Sequence, residues 1–235
     1  MNLEGKKAIV FGGTSGIGLA TVKRLAAAGA EVVAVSRNPD RAGSQVPEGV
    51  RLAACDVRDR AALESLFAAE APFDILVSAA TGGDRAIGPF MSMDMDGYRG
   101  SFDKLWGYAN VLRYGVGHMS EGGAAVLVSG TPARRMKPGQ VSLSTVGAAV
   151  EALVRAVAPE IAPIRLNAVS PGFIDTPMSP LEGEERAAMY RKATANHAIP
   201  RAGTADEVAQ AILFAVENDF VTGTTVDVDG GWLLS

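Results

Sequence analysis

A single cysteine, two histidines and no cluster of basic residues leave this chain of 235 residues with few of the usual sites of chemistry. One thiol cannot close an internal disulfide. Cys55 also has no cysteine or histidine neighbours at ligand spacing, so it reads as a small buried apolar side chain and no metal site is expected. Charged residues make up only 20% of the chain and leave a net charge of −4, with both signs scattered. That balance offers neither a basic stripe for a phosphate backbone nor a polybasic patch for an anionic lipid surface, so no nucleic-acid or membrane partner is expected. No apolar run approaches the roughly 18 residues needed to span a bilayer. Met1-Asn2-Leu3-Glu4-Gly5 carries an acid where a secretion signal would carry basic residues, and a cytoplasmic protein is expected.

What the chain does hold in quantity is apolar residues, 48% of it, and 27 glycines. Short apolar runs alternate with amphipathic stretches: Lys7 to Phe11, then Leu19 to Ala28; Glu31 to Ser36; Arg51 to Cys55, then Ala61 to Glu70; Asp74 to Ser78, then a long helix from about Ser101 to Ser120. Ala125 to Ser129, a helix from about Leu143 to Glu160, Arg165 to Val169 and Thr224 to Val228 complete the pattern. Parallel strands need crossover connections and sit buried on both sides. The sequence therefore predicts one α/β domain, a Rossmann-type doubly wound parallel sheet of about seven strands with helices on both faces. The segment from Asp175 to about Thr204 has no sheet role and a short helical patch near Glu184 to Lys192. It is a candidate lid over a substrate site.

Between the first strand and the first helix lies Phe11-Gly12-Gly13-Thr14-Ser15-Gly16-Ile17-Gly18. A glycine that ends the strand permits a sharp turn, one that opens the helix lets backbone N–H groups reach a pyrophosphate, and one further in lets helix and sheet pack closely. Gly12, Gly16 and Gly18 fill those places inside a strand-turn-helix-strand unit, which makes a dinucleotide the expected ligand. At the end of the second strand, where a carboxylate would receive the ribose 2′-hydroxyl, stands Ser36, followed by Arg37. A guanidinium binds a 2′-phosphate through parallel charge-assisted bonds, so NADP(H) is favoured over NAD(H), with Arg37 or Arg41 as its partner. Asp56-Val57, just past the third strand, lies where an adenine ring would rest, and Ala79 follows the fourth strand at the same edge.

With Gly12-x-x-x-Gly16-Ile17-Gly18, Cys55-Asp56-Val57, Asp74-Ile75-Leu76-Val77, the run Arg165 to Thr176, and Val221-Thr222-Gly223 through Gly231, the chain resembles the short-chain dehydrogenase/reductase family along essentially its whole length. The resemblance implies hydride transfer between a nicotinamide cofactor and a small carbonyl or alcohol compound. It also implies that Pro171, Gly172, Ile174 and Thr176 contact the nicotinamide half, and that the protein is a homodimer or homotetramer.

Family enzymes carry a Tyr and a Lys four residues apart on the helix after the fifth strand. Aligning Pro138-Gly139-Gln140 and Ala148-Ala149-Val150 places Leu143 and Gly147 there. No tyrosine lies between Tyr114 and Tyr190 and no lysine between Lys137 and Lys192, so no shift of alignment restores the pair. The family's carbonyl-binding Ser aligns with Gly130, beside Ser129, and the family's helix Asn aligns with Lys104. Lys104 is thus either a solvated lysine on an amphipathic helix or the cation that stabilises charge on a substrate oxygen, with Ser129 or Ser144 as hydrogen-bonding partner. Gly147, costly inside a helix, implies close approach by a substrate, the ribose or Lys104. Arg134 and Arg135 are a solvated pair or a guide for an anionic substrate. Two functions follow: an oxidoreductase with a non-standard active site, or an NADP(H)-binding pseudoenzyme that acts as sensor or scaffold.

Overall fold

The structure is a computed structural model and describes residues 1–81 and 85–235, with the side chain of Arg41 left out; Arg41 as a phosphate partner therefore lies outside the described residues. The first apolar run forms β1 (Lys7–Phe11), and α1 (Gly16–Ala27) carries the chain back to β2 (Glu31–Ser36). β3 (Arg51–Ala54), α2 (Arg60–Glu70) and β4 (Phe73–Ser78) follow, then α3 (Met95–Ser101), α4 (Asp103–Gly115), β5 (Met119–Val128), α5 (Val141–Val157) and β6 (Arg165–Pro171). The chain ends with β7 (Ile174–Asp175), α6 (Gly183–Thr194), β8 (Gly203–Thr204), α7 (Ala205–Glu217) and β9 (Thr225–Val228).

Seven strands pair in parallel in the order β3-β2-β1-β4-β5-β6-β9, and β7 pairs with β8 in a separate two-stranded ribbon. Alternate side chains of β1 go to opposite faces. Ile9 and Phe11 join Leu63, Phe67, Tyr108, Val111, Val150 and Val154 under α2, α4 and α5. Ala8 and Val10 join Val22, Leu25, Val208, Ile212 and Val216 under α1 and α7. The sheet is buried on both faces, as continuous apolar strands require.

Two helical expectations change. The stretch expected as one helix from Ser101 to Ser120 begins earlier, because Asp94 caps α3 by accepting from the Gly97 N–H at 2.7 Å, and it breaks at Phe102, where α3 meets α4. It also stops at Gly115, and β5 starts at Met119. Helix α7 did not figure in the periodic reading. Its capping box was visible all the same: Thr204 and Glu207 each bond the other's backbone N–H.

Strand order reverses between β1 and β4, which run side by side while their connections leave in opposite directions. Such a switch point opens a crevice beyond the carboxyl ends of the strands. The loops after β1, β2, β3 and β4 all arrive there.

Candidate active site

At the switch point Gly12 has a positive φ of 74°, and a Cβ on it would meet the Ala79 carbonyl carbon at 2.9 Å. A Cβ on Gly18 would overlap the Gly12 carbonyl. Only glycines let the loop lie this tightly under the start of α1. Ser15, the N-cap, makes no side-chain capping bond, and no acid stands in the first turn. The helix thus presents unpaired N–H groups and positive dipole to the crevice, as a phosphate requires.

A groove of about 560 Å³ runs from this loop across the sheet edge. Its wall holds Gly12, Thr14, Ser15, Gly16, Ile17, Gly18, Ser36, Arg37, Asp56, Val57, Ala79 and Thr176, so the residues expected along the nucleotide do share one trough. Ser36 Oγ is buried without a partner at the end of β2, and Arg37 beside it is exposed. Asp56 is held by Arg58, which reaches across to Asp103 on α4 at 2.7 Å. Those bonds from Arg58 outweigh partial burial and keep the Asp56 carboxyl below its ordinary range. An unpartnered hydroxyl, a glycine cradle and an uncapped helix start fit a dinucleotide.

The groove opens at Ile17, Ala79, Thr81, Thr176 and Met178 into a second cleft of about 290 Å³. Pro171, Gly172 and Ile174 line it, and Leu143 and Gly147 form part of the α5 wall. Lys104 enters from α4, part-buried, and donates from Nζ to the Ser129 carbonyl at 3.0 Å, with the Tyr108 ring at 5.6 Å. Burial pulls its ammonium down to about 7, and the Arg85 charge adds to the shift. Lys104 is thus part-buried on the cleft wall and bonded to the main chain, unlike a fully solvated lysine.

Four other expectations need correction. Ser129 lines the cleft, but its hydroxyl is buried and lies 3.2 Å from both the Gly147 carbonyl and Glu151 Oε1, so Lys104 bonds its main chain and not its side chain. Ser144 is buried in α5 with its Oγ unpartnered and is not among the described wall residues, so it is no partner of Lys104. Within the protein, what approaches Gly147 is not Lys104 but Ala133 of the 3₁₀ turn Thr131–Ala133, whose Cβ would lie 3.0 Å from a Cβ at that position, while Gly147 also lines the cleft. Arg134 pairs with Asp227 and Glu151, and Arg135 bonds the Trp232 carbonyl, so neither is free to guide a substrate.

Sequence reasoning missed Arg85, Gln140 and Ser142 on the same wall. Gln140 Oε1 is buried without a partner, and Ser142 donates to the Ala86 carbonyl. Lone polar residues in loops carry no period, so only Gln140, next to Pro138-Gly139 at the mouth of α5, had a flag of any kind. The segment proposed as a lid rests on the β7·β8 ribbon. Arg186 of α6 pairs with Asp175, and Tyr190 donates to the Ile174 carbonyl at 3.2 Å. His197 packs against Trp232, with burial and then Lys137 lowering its pKa.

Comparison with known proteins is in accord with this geometry. A family model described as enoyl-(acyl carrier protein) reductase matches residues 12–233. The chain belongs to the short-chain dehydrogenase/reductase family. L-Xylulose reductase of Bos taurus is 34% identical over 247 residues, covering 99% of this chain and 98% of the relative. The 3-oxoacyl-(acyl carrier protein) reductase of Thermotoga maritima is 33% identical over 253 residues, covering all of both chains. Among solved structures, a small-chain dehydrogenase in complex with NADPH superposes with a TM-score of 0.84 at 30% identity, covering 99% of this chain and all of that one. As a short-chain dehydrogenase/reductase, the chain has the general character of an oxidoreductase with a nicotinamide cofactor. No helix among its described residues is long and apolar enough to cross a membrane.

Proposed function

We propose that this protein transfers hydride between NADP(H) and a small carbonyl or alcohol compound, with Lys104, which aligns with the family's helix Asn, facing the substrate oxygen in place of the missing tyrosine. The observation that carries this reading is the placement of the Lys104 amine in a cleft continuous with the dinucleotide groove, beside Leu143 and Gly147. Gly12 to Gly18 would hold the pyrophosphate, Asp56 and Val57 the adenine, and Pro171, Gly172, Ile174 and Thr176 the nicotinamide half. Ser36 and Arg37 favour NADP(H): no carboxylate ends β2 to repel a 2′-phosphate, and Ser36 Oγ awaits a partner. The NADPH complex of a similar fold supports the same choice.

When bound, the reduced cofactor supplies the hydride and its oxidised form accepts one. In the reducing direction the carbonyl carbon gains that hydride, and the π pair moves onto oxygen. The developing alkoxide takes a proton from the Lys104 ammonium, and the amine regains one from solvent. An amine poised near neutrality can act as acid in one direction and base in the other. The Ser129 carbonyl holds Nζ in place by accepting one of its hydrogens, which leaves the others for the substrate.

The test follows the absorbance of reduced nicotinamide when protein, NADPH and a panel of aldehydes, ketones and oxo acids are mixed. Sustained oxidation that depends on the carbonyl compound is the expected result. Saturable NADPH binding with no turnover on any of them would instead favour a sensor or scaffold, because Leu143 and Gly147 offer no proton of their own.

A further inference from the structure

Two side chains carry positive charge to the wall of the 290 Å³ cleft: Lys104 from α4 and Arg85 from the segment ahead of α3. No aspartate or glutamate contributes to that wall among the described residues. Several cations at other sites are paired with acids. Lys7 has Glu70, Arg51 has Glu70 and Glu31, Arg134 has Asp227 and Glu151, and Arg186 has Asp175. Among the described residues Lys104 has only a neutral carbonyl and the Tyr108 ring, and Arg85 has no acidic partner. Lys104 is part-buried while Arg85 stands exposed at the rim of the same cleft, so an anion placed between them would meet one buried and one solvent-facing cation.

The remainder of the wall says what the anion is attached to. Leu143, Val146, Phe173 and Trp232 make most of it apolar. Gln140 supplies one buried amide oxygen with no partner.

We propose that the cleft binds the carboxylate of its substrate between Arg85 and Lys104, so that the substrate is a small oxo acid with an apolar body, or the matching hydroxy acid. This rests on the reading of the cleft as the substrate site and adds its chemical class. Arg85 receives the carboxylate on its planar fork, which matches two oxygens at once. The Lys104 amine then lies between the carboxylate and the carbonyl oxygen, and the bound negative charge favours its ammonium form. The charged and titratable groups around it are Arg85 from the preceding loop, Tyr108 from its own helix and, behind Ser129, Glu151 of α5, already paired with Arg134. Burial lowers the Lys104 pKa to about 7, so anion binding at pH 8 is expected to take up a proton.

The experiment titrates the protein, without nucleotide, with phenylacetate and with its neutral isostere phenylacetamide. Calorimetry at pH 8 in two buffers of different ionisation enthalpy is the readout. Phenylacetate is expected to bind at least tenfold more tightly than the amide and to take up a proton. Arg85→Gln should erase the preference, and Lys104→Met should erase the proton uptake. Equal affinity for acid and amide, no binding of either, or a preference that survives Arg85→Gln overturns the proposal. Turnover assays with phenylpyruvate separate this from the parent reading: acid binding without turnover counts against hydride transfer alone, and turnover of neutral ketones without acid preference counts against the anion site alone.

Discussion

Lys104 Nζ donates to the Ser129 backbone carbonyl at 3.0 Å, while the hydroxyl of the same serine turns the other way, toward Gly147 and Glu151. Ser129 therefore positions the amine through its main chain, which no side-chain substitution removes. Ser129→Ala should leave kcat within about threefold of wild type, whereas Lys104→Met should lower it by about 10²–10⁴, the usual worth of a general acid. Steady-state rates of the two variants on one verified carbonyl substrate decide between them. A large loss in Ser129→Ala with Lys104→Met unaffected would reverse the assignment.

The same amine makes stability depend on pH in a direction opposite to that of a salt-bridged lysine. Burial lowers the Lys104 pKa in the fold to about 7 from an ordinary value of about 10.4. Below pH 7 the ammonium is charged in both states, and the fold bears the whole desolvation cost. Between pH 7 and 10 only the unfolded chain still holds the proton, so wild-type stability gains with rising pH. Lys104→Met should therefore be more stable than wild type at pH 6.5, and the gap should close by about 2–4 kcal/mol on going to pH 9.5. Urea unfolding curves at the two values test this, and a gap that does not change with pH would mean the amine is solvated.

How much of this was legible beforehand varies with range along the chain. β1 and β2 were read to the residue because strand and hydrophobic run coincide. The dinucleotide trough was legible too, since Gly12, Ser36, Asp56 and Ala79 each stand at or just past the end of a strand and must converge on the carboxyl edge once the sheet is parallel. The cleft was harder. Lys104 was found by alignment, but its partner is a backbone carbonyl, which has no sequence signature, and the Ser129 hydroxyl could not be oriented from its neighbours. Arg85 escaped because a cation in a glycine-rich loop looks like any solvated one until α4 is docked against it. Gly147 was rightly seen as crowded, yet the crowding comes from the turn at Ala133, which is close in space and distant from any periodic pattern.

That crowding limits any attempt to restore the usual pair on α5. Leu143 opens onto the cleft, so Leu143→Tyr should fold with a melting temperature close to that of wild type. A Cβ at Gly147 would stand 3.0 Å from the Ala133 Cβ and 3.4 Å from the Gly130 carbonyl. Gly147→Lys should accordingly cost about 1–3 kcal/mol of stability, as overpacking generally does. Ala133→Gly added to it should return part of that loss. Thermal unfolding of the three variants is the measurement, and full stability of Gly147→Lys on its own would show that the turn yields freely.

Cofactor choice rests on the end of β2, where Ser36 Oγ is buried without a partner and Arg37 extends into solvent beside the groove. A 2′-phosphate would satisfy the hydroxyl and pair with the guanidinium, each charge-assisted bond adding about 1.5–3 kcal/mol. Replacing Ser36 by Asp places a carboxylate where the phosphate would sit, and the repulsion acts on NADPH alone, since NADH offers only hydroxyls there. Arg37→Gln removes the attraction without adding repulsion. The two effects are separable: Arg37→Gln should weaken NADPH by about 10–100-fold and leave NADH unchanged, while Ser36→Asp should weaken NADPH further and strengthen NADH. Dissociation constants from the quenching of protein fluorescence give all four comparisons. Equal losses for the two dinucleotides in either variant would place the adenosine ribose elsewhere than beside Ser36.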